Sequence, residues 1–214
     1  MVLSRSPIWP FAAALLLAGI ATPALAVEGA PFTPDTAATL EPGQYLWNDT
    51  GGTGNVRILV NIPLQRAYVY RGETLIALSP ISTGASGYDT PVGAFTVLEK
   101  DANHRSNIYS NAPMPFMLRL TWGGIAIHAG MNPGYPASHG CVRVPMAFAR
   151  KLYGIVGLGA QVVVTDDATD PLYAAPLYNA PSVMPPQGAP FGMVPLDVAR
   201  RAAASAIAWA APAP

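Results

Sequence analysis

Three side chains capable of acid–base or nucleophilic chemistry lie close together in this chain. His128, His139 and Cys141 fall within one short stretch, and Cys141 is the single cysteine of the 214 residues. Gly140 directly precedes it, so a tight turn can present the thiol and let the backbone approach a substrate closely. Backbone N–H groups of such a turn can stabilise a developing oxyanion. Because a thiol needs a neighbouring base to become a strong nucleophile, His128, at the end of a predicted strand, is the candidate base.

The same side chains admit two other interpretations. A zinc site could use His128, His139 and Cys141, but His139 and Cys141 are closer in sequence than the usual ligand spacings. No Asp or Glu lies between His128 and Arg143 to supply a fourth ligand. Packed core residues are the plainest alternative, yet reactive side chains among glycines and prolines are not typical of a core strand. The residues therefore favour a cysteine nucleophile, while the third histidine, His104, in a polar loop, is expected to be exposed to solvent.

The elements that must position these residues are predicted to be short strands. Apolar runs separated by Gly/Pro turns predict strands at residues 56–62, 67–70, 75–78, 94–98, 116–121, 125–128 and 161–165. Apolar side chains at every even position of the first of these predict a half-buried strand. Two pairs of these strands are predicted to form hairpins. The first joins residues 67–70 to 75–78, and the second joins residues 116–121 to 125–128 through a turn at Trp122-Gly123-Gly124.

One convincing helix follows the cysteine loop. Pro145 suits a first helical position, and Gly154 is placed to cap a helix that ends at about Tyr153. Strands at this spacing with a single helix predict a mostly β protein, a barrel-like sandwich with one short helix after the Cys141 loop.

The two ends of the chain differ in composition from this region. Arg5, the uncharged run at residues 11–20, and small Ala24 and Ala26 predict a cleavable secretory signal peptide over residues 1–26, hence export to the periplasm or cell envelope. Residues 27–55 are a lead-in to a catalytic domain at residues 56–165. A Pro/Ala-rich tail at residues 166–214 is expected to be largely flexible, with a short helix possible near its end.

Composition excludes several classes of function. Lys+Arg and Asp+Glu number 12 each, so there is no basic excess for binding nucleic acid through its phosphates. A single cysteine rules out an intrachain disulfide and any multi-cysteine metal site.

The reactive stretch resembles the L,D-transpeptidase catalytic domain, the YkuD-like family of peptidoglycan cysteine enzymes. That family's signature is an upstream His, then Ser/Thr-His-Gly-Cys, a hydrophobic residue, and Asn or Arg; here it is His128 followed by Ser138-His139-Gly140-Cys141-Val142-Arg143. The segment at residues 90–97 is similar to the family's Thr-Pro-x-Gly-x-Phe, and the resemblance spans roughly residues 56–165. Two departures are a shorter gap between His128 and Ser138, which implies a smaller lid, and Arg143 in place of the commoner Asn.

The resemblance implies a role for each matched residue. Cys141 would be the nucleophile, and His128 the general acid/base, oriented by a backbone carbonyl such as that of Ala129. His139 and Gly140 would shape the oxyanion pocket and cleft, with Ser138 as a structural member of the turn. Arg143 would hold a substrate carboxylate or buttress the loop, since its guanidinium suits bidentate contact with a carboxylate.

The resemblance also implies a reaction, acyl transfer between peptidoglycan stem peptides through a Cys141 thioester, with no metal or organic cofactor. Hydrolysis of that thioester would make an L,D-carboxypeptidase or endopeptidase, and capture by a protein amine would anchor an envelope protein to peptidoglycan. A non-catalytic peptidoglycan-binding module is the alternative from another class. The sequence distinguishes neither the acyl acceptor nor the oligomeric state.

Overall fold

A computed structural model describes residues 26–28 and 30–172 of the chain. The described elements are β1 (Ala26–Glu28), α1 (Pro34–Ala38), β2 (Tyr45–Trp47), β3 (Val56–Asn61), β4 (Arg66–Arg71), β5 (Thr74–Pro80), β6 (Gly93–Thr96), β7 (Glu99–Asp101), β8 (Met117–Arg119), β9 (Ala126–Ala129), β10 (Val142–Val144), α2 (Met146–Ile155) and β11 (Gln161–Thr165). The fold is mostly β, as predicted. The segments predicted as signal peptide and terminal helix lie almost wholly outside the described residues.

Seven strands form the larger sheet, in the order β1-β2-β5-β4-β3-β11-β6. Its centre is the antiparallel meander β3–β4–β5, which contains the first predicted hairpin. β11 pairs parallel with β3 and antiparallel with β6, so the last strand is inserted beside the first strand of the meander.

Four strands form the smaller sheet, in the order β10-β9-β8-β7. β8 and β9 are the second predicted hairpin, with Leu118 opposite Ile127. β9 and β10 are parallel, and a parallel pair needs a crossover of about a dozen residues. That crossover is the loop which carries the reactive motif.

The main hydrophobic core lies between the two sheets and α2. It contains Ile58 and Val60 of β3, Ile127 of β9, and Phe148 and Leu152 of α2. Since Phe148 and Leu152 are four positions apart, they lie on one face of the helix. This packing holds the smaller sheet against the larger one.

A second cluster covers the other face of the larger sheet. Leu59 and Tyr68 pack there with Ala37 of α1 and with Leu172. The strand predicted as half-buried is therefore buried on both faces, and Leu59 and Asn61 are buried as well. That prediction was wrong because the covering residues come from outside the strand's own neighbourhood in sequence.

The helix ends differently from the prediction. Gly154 lies inside α2, and Val156 is the C-cap, its N–H donating to Leu152 O. Lys100 Nζ donates to Tyr153 O at 2.7 Å and Val156 O at 2.6 Å. The Lys100 ammonium thus provides hydrogen bonds to carbonyl oxygens at the end of the helix, so the helix does not need a glycine cap. Its positive charge also suits a helix C-terminus. Among the described residues, neither helix is long and apolar enough to cross a membrane.

The packed structure extends beyond the boundaries expected at residues 56 and 165. The lead-in contributes α1, β2 and β1 except for Ala26, the last residue of the predicted signal peptide. At the other end, the Asp170 carboxylate pairs with Arg66 Nη1 at 2.9 Å and accepts from Tyr68 OH at 2.9 Å. Burial and the Asp170 charge raise the pKa of Tyr68 above its ordinary range, so its phenol remains a donor to Asp170.

A pair of truncations tests where the folded unit ends. A chain that ends after Leu172 is expected to keep the melting temperature of the longer protein. A chain that ends after Thr165 should melt at a lower temperature, because the buried Tyr68 hydroxyl loses Asp170, and an unsatisfied buried group costs ~1–3 kcal/mol. Thermal unfolding of the two chains is the measurement, and equal melting temperatures would contradict the docking of residues 166–172.

Candidate active site

Cys141 and His128 are brought together by the parallel pairing of β9 and β10. Val142 lies opposite Ile127, and Arg143 lies opposite His128. Ile127 and Val142 point into the main core. Because side chains alternate along a strand, the side chains of His128, Cys141 and Arg143 share the opposite face. The register of two short strands thus places the candidate base and nucleophile on the same face of neighbouring strands.

The imidazole of His128 is held by the backbone of the next residue. Its Nδ1 lies 2.9 Å from Ala129 O, the contact that the resemblance implied. Since a carbonyl only accepts hydrogen bonds, Nδ1 carries the proton and Nε2 is left as an acceptor. The tautomer is therefore the one needed to take a proton from a thiol.

Burial controls the protonation of His128. The residue is 7% exposed, and burial, with smaller contributions from the charges of Arg143 and His104, lowers its pKa to about 4. The hydrogen bond to Ala129 opposes this shift only in part. The imidazole is thus neutral at neutral pH and available as a base.

The Cys141 thiol rests in a protonated state. Burial raises its pKa, although a backbone hydrogen bond with Ala126 and the charges of Arg143 and Arg119 oppose the shift. Sγ donates to Gly124 O at 3.4 Å. Because the thiol and the imidazole are both neutral, a thiolate at Cys141 forms only when a base such as His128 takes the proton during the reaction.

The turn before Cys141 is tied together by Ser138. The Ser138 hydroxyl donates to Cys141 O at 2.5 Å and accepts from Gly140 N–H at 3.0 Å. Gly140 has φ +106, and a Cβ there would lie 2.9 Å from Ile125 Cδ1. The glycine is thus required by the turn, while its N–H is bound to Ser138 in this structure rather than directed at a substrate.

Thr90 is a supporting residue that sequence reasoning left without a role. Its hydroxyl donates to Gly140 O at 2.8 Å and accepts from Gly84 N–H at 2.8 Å. Thr90 is buried and opens the Thr-Pro-x-Gly-x-Phe segment, which was the available signal. It anchors the reactive turn to a loop fifty residues away in sequence.

Thr90→Val is expected to lower both the melting temperature and the rate of acylation at Cys141. The nearly isosteric change leaves Gly140 O and Gly84 N–H buried without a partner, which costs ~1–3 kcal/mol per group. Thr90→Ser, which keeps the hydroxyl, is the matched control and should stay close to wild type. The measurements are thermal unfolding and the kinetics of acylation for both variants. Equal melting temperatures and equal acylation rates of the two variants would contradict a supporting role of the Thr90 hydroxyl in the turn.

His139 and Arg143 lie on the outer part of the site. The exposed His139 ring contacts Tyr88 and Tyr109, with centroids 4.5 and 4.7 Å away. Arg143 is half-buried, with Nη1 3.5 Å from Met131 O, and none of the ion pairs among the described residues includes it. Its guanidinium is therefore available to an anionic ligand.

His104 differs from expectation. It is half-buried rather than exposed, and Nδ1 lies 3.2 Å from Asp101 Oδ2. The strand β7, which sequence analysis missed, supplies that carboxylate. Within residues 26–28 and 30–172, no three His, Cys, Asp or Glu side chains are grouped to hold a metal ion.

An open groove of the described surface lies away from the reactive turn. It has a volume of about 630 Å³ and is lined by residues of the β3–β4 region, such as Arg57 and Arg71, and by Gly157 and Leu158. None of the residues of the reactive turn contributes to it. The candidate site is therefore identified by its chemistry and not by its volume.

The sequence matches a known protein family. The family model of the L,D-transpeptidase catalytic domain, YkuD, matches residues 55–164, just over half of the chain. No curated protein is matched by the sequence.

Solved L,D-transpeptidase structures are similar at low identity. One from Mycobacterium smegmatis is 23% identical, with 52% of this chain and 58% of that chain covered and a TM-score of 0.49. One from Stackebrandtia nassauensis is also 23% identical, with 54% and 58% covered and a TM-score of 0.49. The chain thus spans a little over half the length of each.

Proposed function

Because the chain belongs to the L,D-transpeptidase catalytic-domain family, we propose that it cross-links peptidoglycan stem peptides through a thioester on Cys141. The observation that supports this most is the position of Cys141 and His128 on one face of the β9–β10 pair. The second is the hydrogen bond from His128 Nδ1 to Ala129 O, which leaves Nε2 to act as a base.

In the first half-reaction, His128 Nε2 takes the thiol proton as Sγ attacks the carbonyl carbon of the third stem residue. The tetrahedral intermediate collapses when His128 returns that proton to the leaving amine of the terminal D-Ala. The C–N bond breaks, a C–S bond remains, and the products are the thioester and free D-Ala. Proton transfer by a positioned imidazole typically contributes ~10²–10⁴-fold to the rate.

In the second half-reaction, the side-chain amine of another stem attacks the thioester carbonyl. His128 accepts the proton that the amine loses, and the C–S bond breaks as the new amide forms. The proton then returns to Sγ, so the neutral thiol and imidazole are regenerated. These steps use groups of this chain and its substrates only.

Arg143 is assigned to a substrate carboxylate. It lies opposite His128 on β10, on the face of the nucleophile, and no ion pair of the described residues occupies its guanidinium. A carboxylate of the donor stem would bring a charge-assisted hydrogen bond to this position. His139 and Gly140 are assigned to the shape of the cleft and the oxyanion pocket, Gly140 through the positive φ of the turn and not through its N–H, which donates to Ser138 Oγ.

Export would bring the protein to this substrate. The signal-peptide prediction places the mature N-terminus at Val27 and the protein in the periplasm or envelope. N-terminal sequencing of the protein from an envelope fraction tests this, and a chain that begins at Met1 would contradict it.

One incubation tests the proposed activity. The mature protein is mixed with purified disaccharide-tetrapeptide, and the products are analysed by mass spectrometry. A cross-linked dimer with loss of D-Ala supports the proposal. Disaccharide-tripeptide alone indicates an L,D-carboxypeptidase, cleavage of an added dimer an endopeptidase, and a stem joined to an added envelope protein an anchoring enzyme. No product, from folded and reduced protein, indicates a binding module.

A further inference from the structure

A row of residues that includes an ion pair crosses the smaller sheet to Cys141. Glu99 of β7 lies directly opposite Arg119 of β8, and Arg119 lies directly opposite Ala126 of β9. The register of β9 and β10 places Cys141, the residue before β10, beside Ala126. The order across the four strands is therefore Glu99, Arg119, Ala126 and Cys141.

The side chains of this row lie on the face of the smaller sheet opposite the main core. Met117 and Ala126 pack with Cys141 in a cluster of their own. Arg119 shares the face of Met117, because side chains alternate along a strand. Glu99 shares it too, because directly opposed residues point to the same side of a sheet. Since Ala126 is small and fully buried, an apolar region separates Arg119 from Cys141, and charges act more strongly across such a region than across water.

The guanidinium of Arg119 is held by its neighbours. Nε donates to Glu99 Oε2 at 2.5 Å, and the guanidinium carbon lies 5.9 Å from the ring centroid of Trp122. The Arg119 side chain is only 14% exposed. Because arginine stays protonated in proteins, this position carries a permanent positive charge.

The two charges of the ion pair do not cancel at Cys141, because Arg119 is the nearer of the two. The backbone of β8 is two strand spacings from that of β10, about 10 Å, and β7 is three spacings away, about 14 Å. The excess positive charge favours the thiolate over the thiol. In the same sense, the charge of Arg119 lowers the pKa of the Cys141 thiol and opposes the effect of burial.

The remaining charged and titratable groups of this face lie in the neighbouring row. They are Asp101 with its partner His104, His128, and Arg143. The charge of Arg143 acts on the Cys141 thiol in the same direction as that of Arg119. A substrate carboxylate bound to Arg143, as assigned above, would neutralise that charge during the reaction. Arg119, which already has its counter-charge in Glu99, would keep its effect on the thiol.

We propose that Arg119 is a positioning residue of the acyl-transfer site, whose charge, oriented by Glu99, stabilises the Cys141 thiolate while His128 holds the proton. Arg119 acts through the thiol and not on the substrate. The thiolate is the attacking group of the first half-reaction and the leaving group of the second, so the same charge favours both. The link to acyl transfer rests on the proposed function, whereas the effect on the thiol does not.

The test is the rate of iodoacetamide alkylation against pH in wild type, Arg119→Met and Glu99→Gln. Arg119→Met keeps the apolar part of the side chain. Its rate at neutral pH should fall by about two- to tenfold, the range for unit charges about 10 Å apart, and its midpoint should move to higher pH. Glu99→Gln keeps an acceptor for Arg119 Nε, so its rate should rise and its midpoint should move to lower pH. Loss of a purely structural contact would not shift the two partners in opposite directions.

Two further variants serve as controls. Arg119→Lys keeps the charge and should stay close to wild type. Arg57→Met should match wild type, because Arg57 also pairs with a glutamate, Glu73, and lies over a ring, Tyr70, but lines the open groove away from the reactive turn. An unchanged profile in Arg119→Met, an equal shift in Arg57→Met, or a shift to higher pH in Glu99→Gln would overturn the inference.

Thermal unfolding and acylation complete the test. Melting curves show whether each variant is folded, and if Arg119→Met is not, the direction of the shift in Glu99→Gln decides. Acylation by the disaccharide-tetrapeptide should be slower in Arg119→Met than in wild type, and an equal rate would overturn the link to acyl transfer. If no stem acylates the wild type, the proposed function fails, and the alkylation profiles still decide whether Arg119 acts on the thiol.

Discussion

A carbapenem is expected to add one mass equivalent to the wild-type protein and nothing to the Cys141→Ala variant. The strained lactam carbonyl is an acyl donor like the natural substrate, so the same proton transfer to His128 should generate the attacking thiolate. The chain has one cysteine, so an adduct to the thiol has a single possible position. Intact mass spectrometry of folded, reduced protein is the measurement.

Alkylation of Cys141 by iodoacetamide is expected to depend on pH differently from its acylation by a carbapenem. Burial raises the pKa of the Cys141 thiol, so a reagent that depends on free thiolate should react slowly at pH 7 and faster as the pH rises above the ordinary thiol value of ~8.5. The carbapenem, which can use His128 as base, should react readily at pH 7. An adduct that persists in Cys141→Ala, or its absence from the wild type, would contradict the assignment of the nucleophile.

His128→Ala is expected to lower the rate of acylation by ~10²–10⁴-fold, the usual contribution of a general base. In wild type, His128 has its pKa lowered to about 4. Above that pH the imidazole is neutral and can accept the thiol proton; below it the ring is protonated and cannot. The acylation rate should therefore fall as the pH drops through about 4, and this limb should disappear in His128→Ala.

The matched control is His139→Ala, which removes the other histidine of the motif. Its ring contacts Tyr88 and Tyr109, so its loss should slow acylation through the shape of the cleft while keeping the acidic limb. Acylation rates against pH for wild type and both variants are the measurement. If His139→Ala removed the limb and His128→Ala kept it, the two roles would be reversed.

Local sequence accounted for the hairpins and the reactive motif, and the family resemblance implied the contact of His128. The β8–β9 hairpin follows from apolar runs around Trp122-Gly123-Gly124, because turn residues and period-two patterning act over a few positions. The His128 contact is with the next residue, Ala129, so it too is local. These features need no information from the rest of the chain.

Other features escaped sequence reasoning because their partners are distant in sequence. β10 is only three residues long and takes its strand pairing from β9. Thr90 belongs to the Thr-Pro-x-Gly-x-Phe segment, but nothing in its local sequence shows that its hydroxyl donates to Gly140 O. Lys100, in β7, caps the C-terminus of α2, so the helix continues past Gly154 instead of ending there.

The sequence by itself determined which groups are available for chemistry: one thiol, a histidine on a strand, and a glycine able to adopt the positive φ of the reactive turn. The tertiary structure decided what those groups can do. A one-residue change in the β9–β10 register would move Cys141 to the face opposite His128, because strand side chains alternate. Burial by the surrounding residues makes the thiol and the imidazole neutral at rest, since desolvation disfavours charge and depends on atoms that only the folded chain brings together.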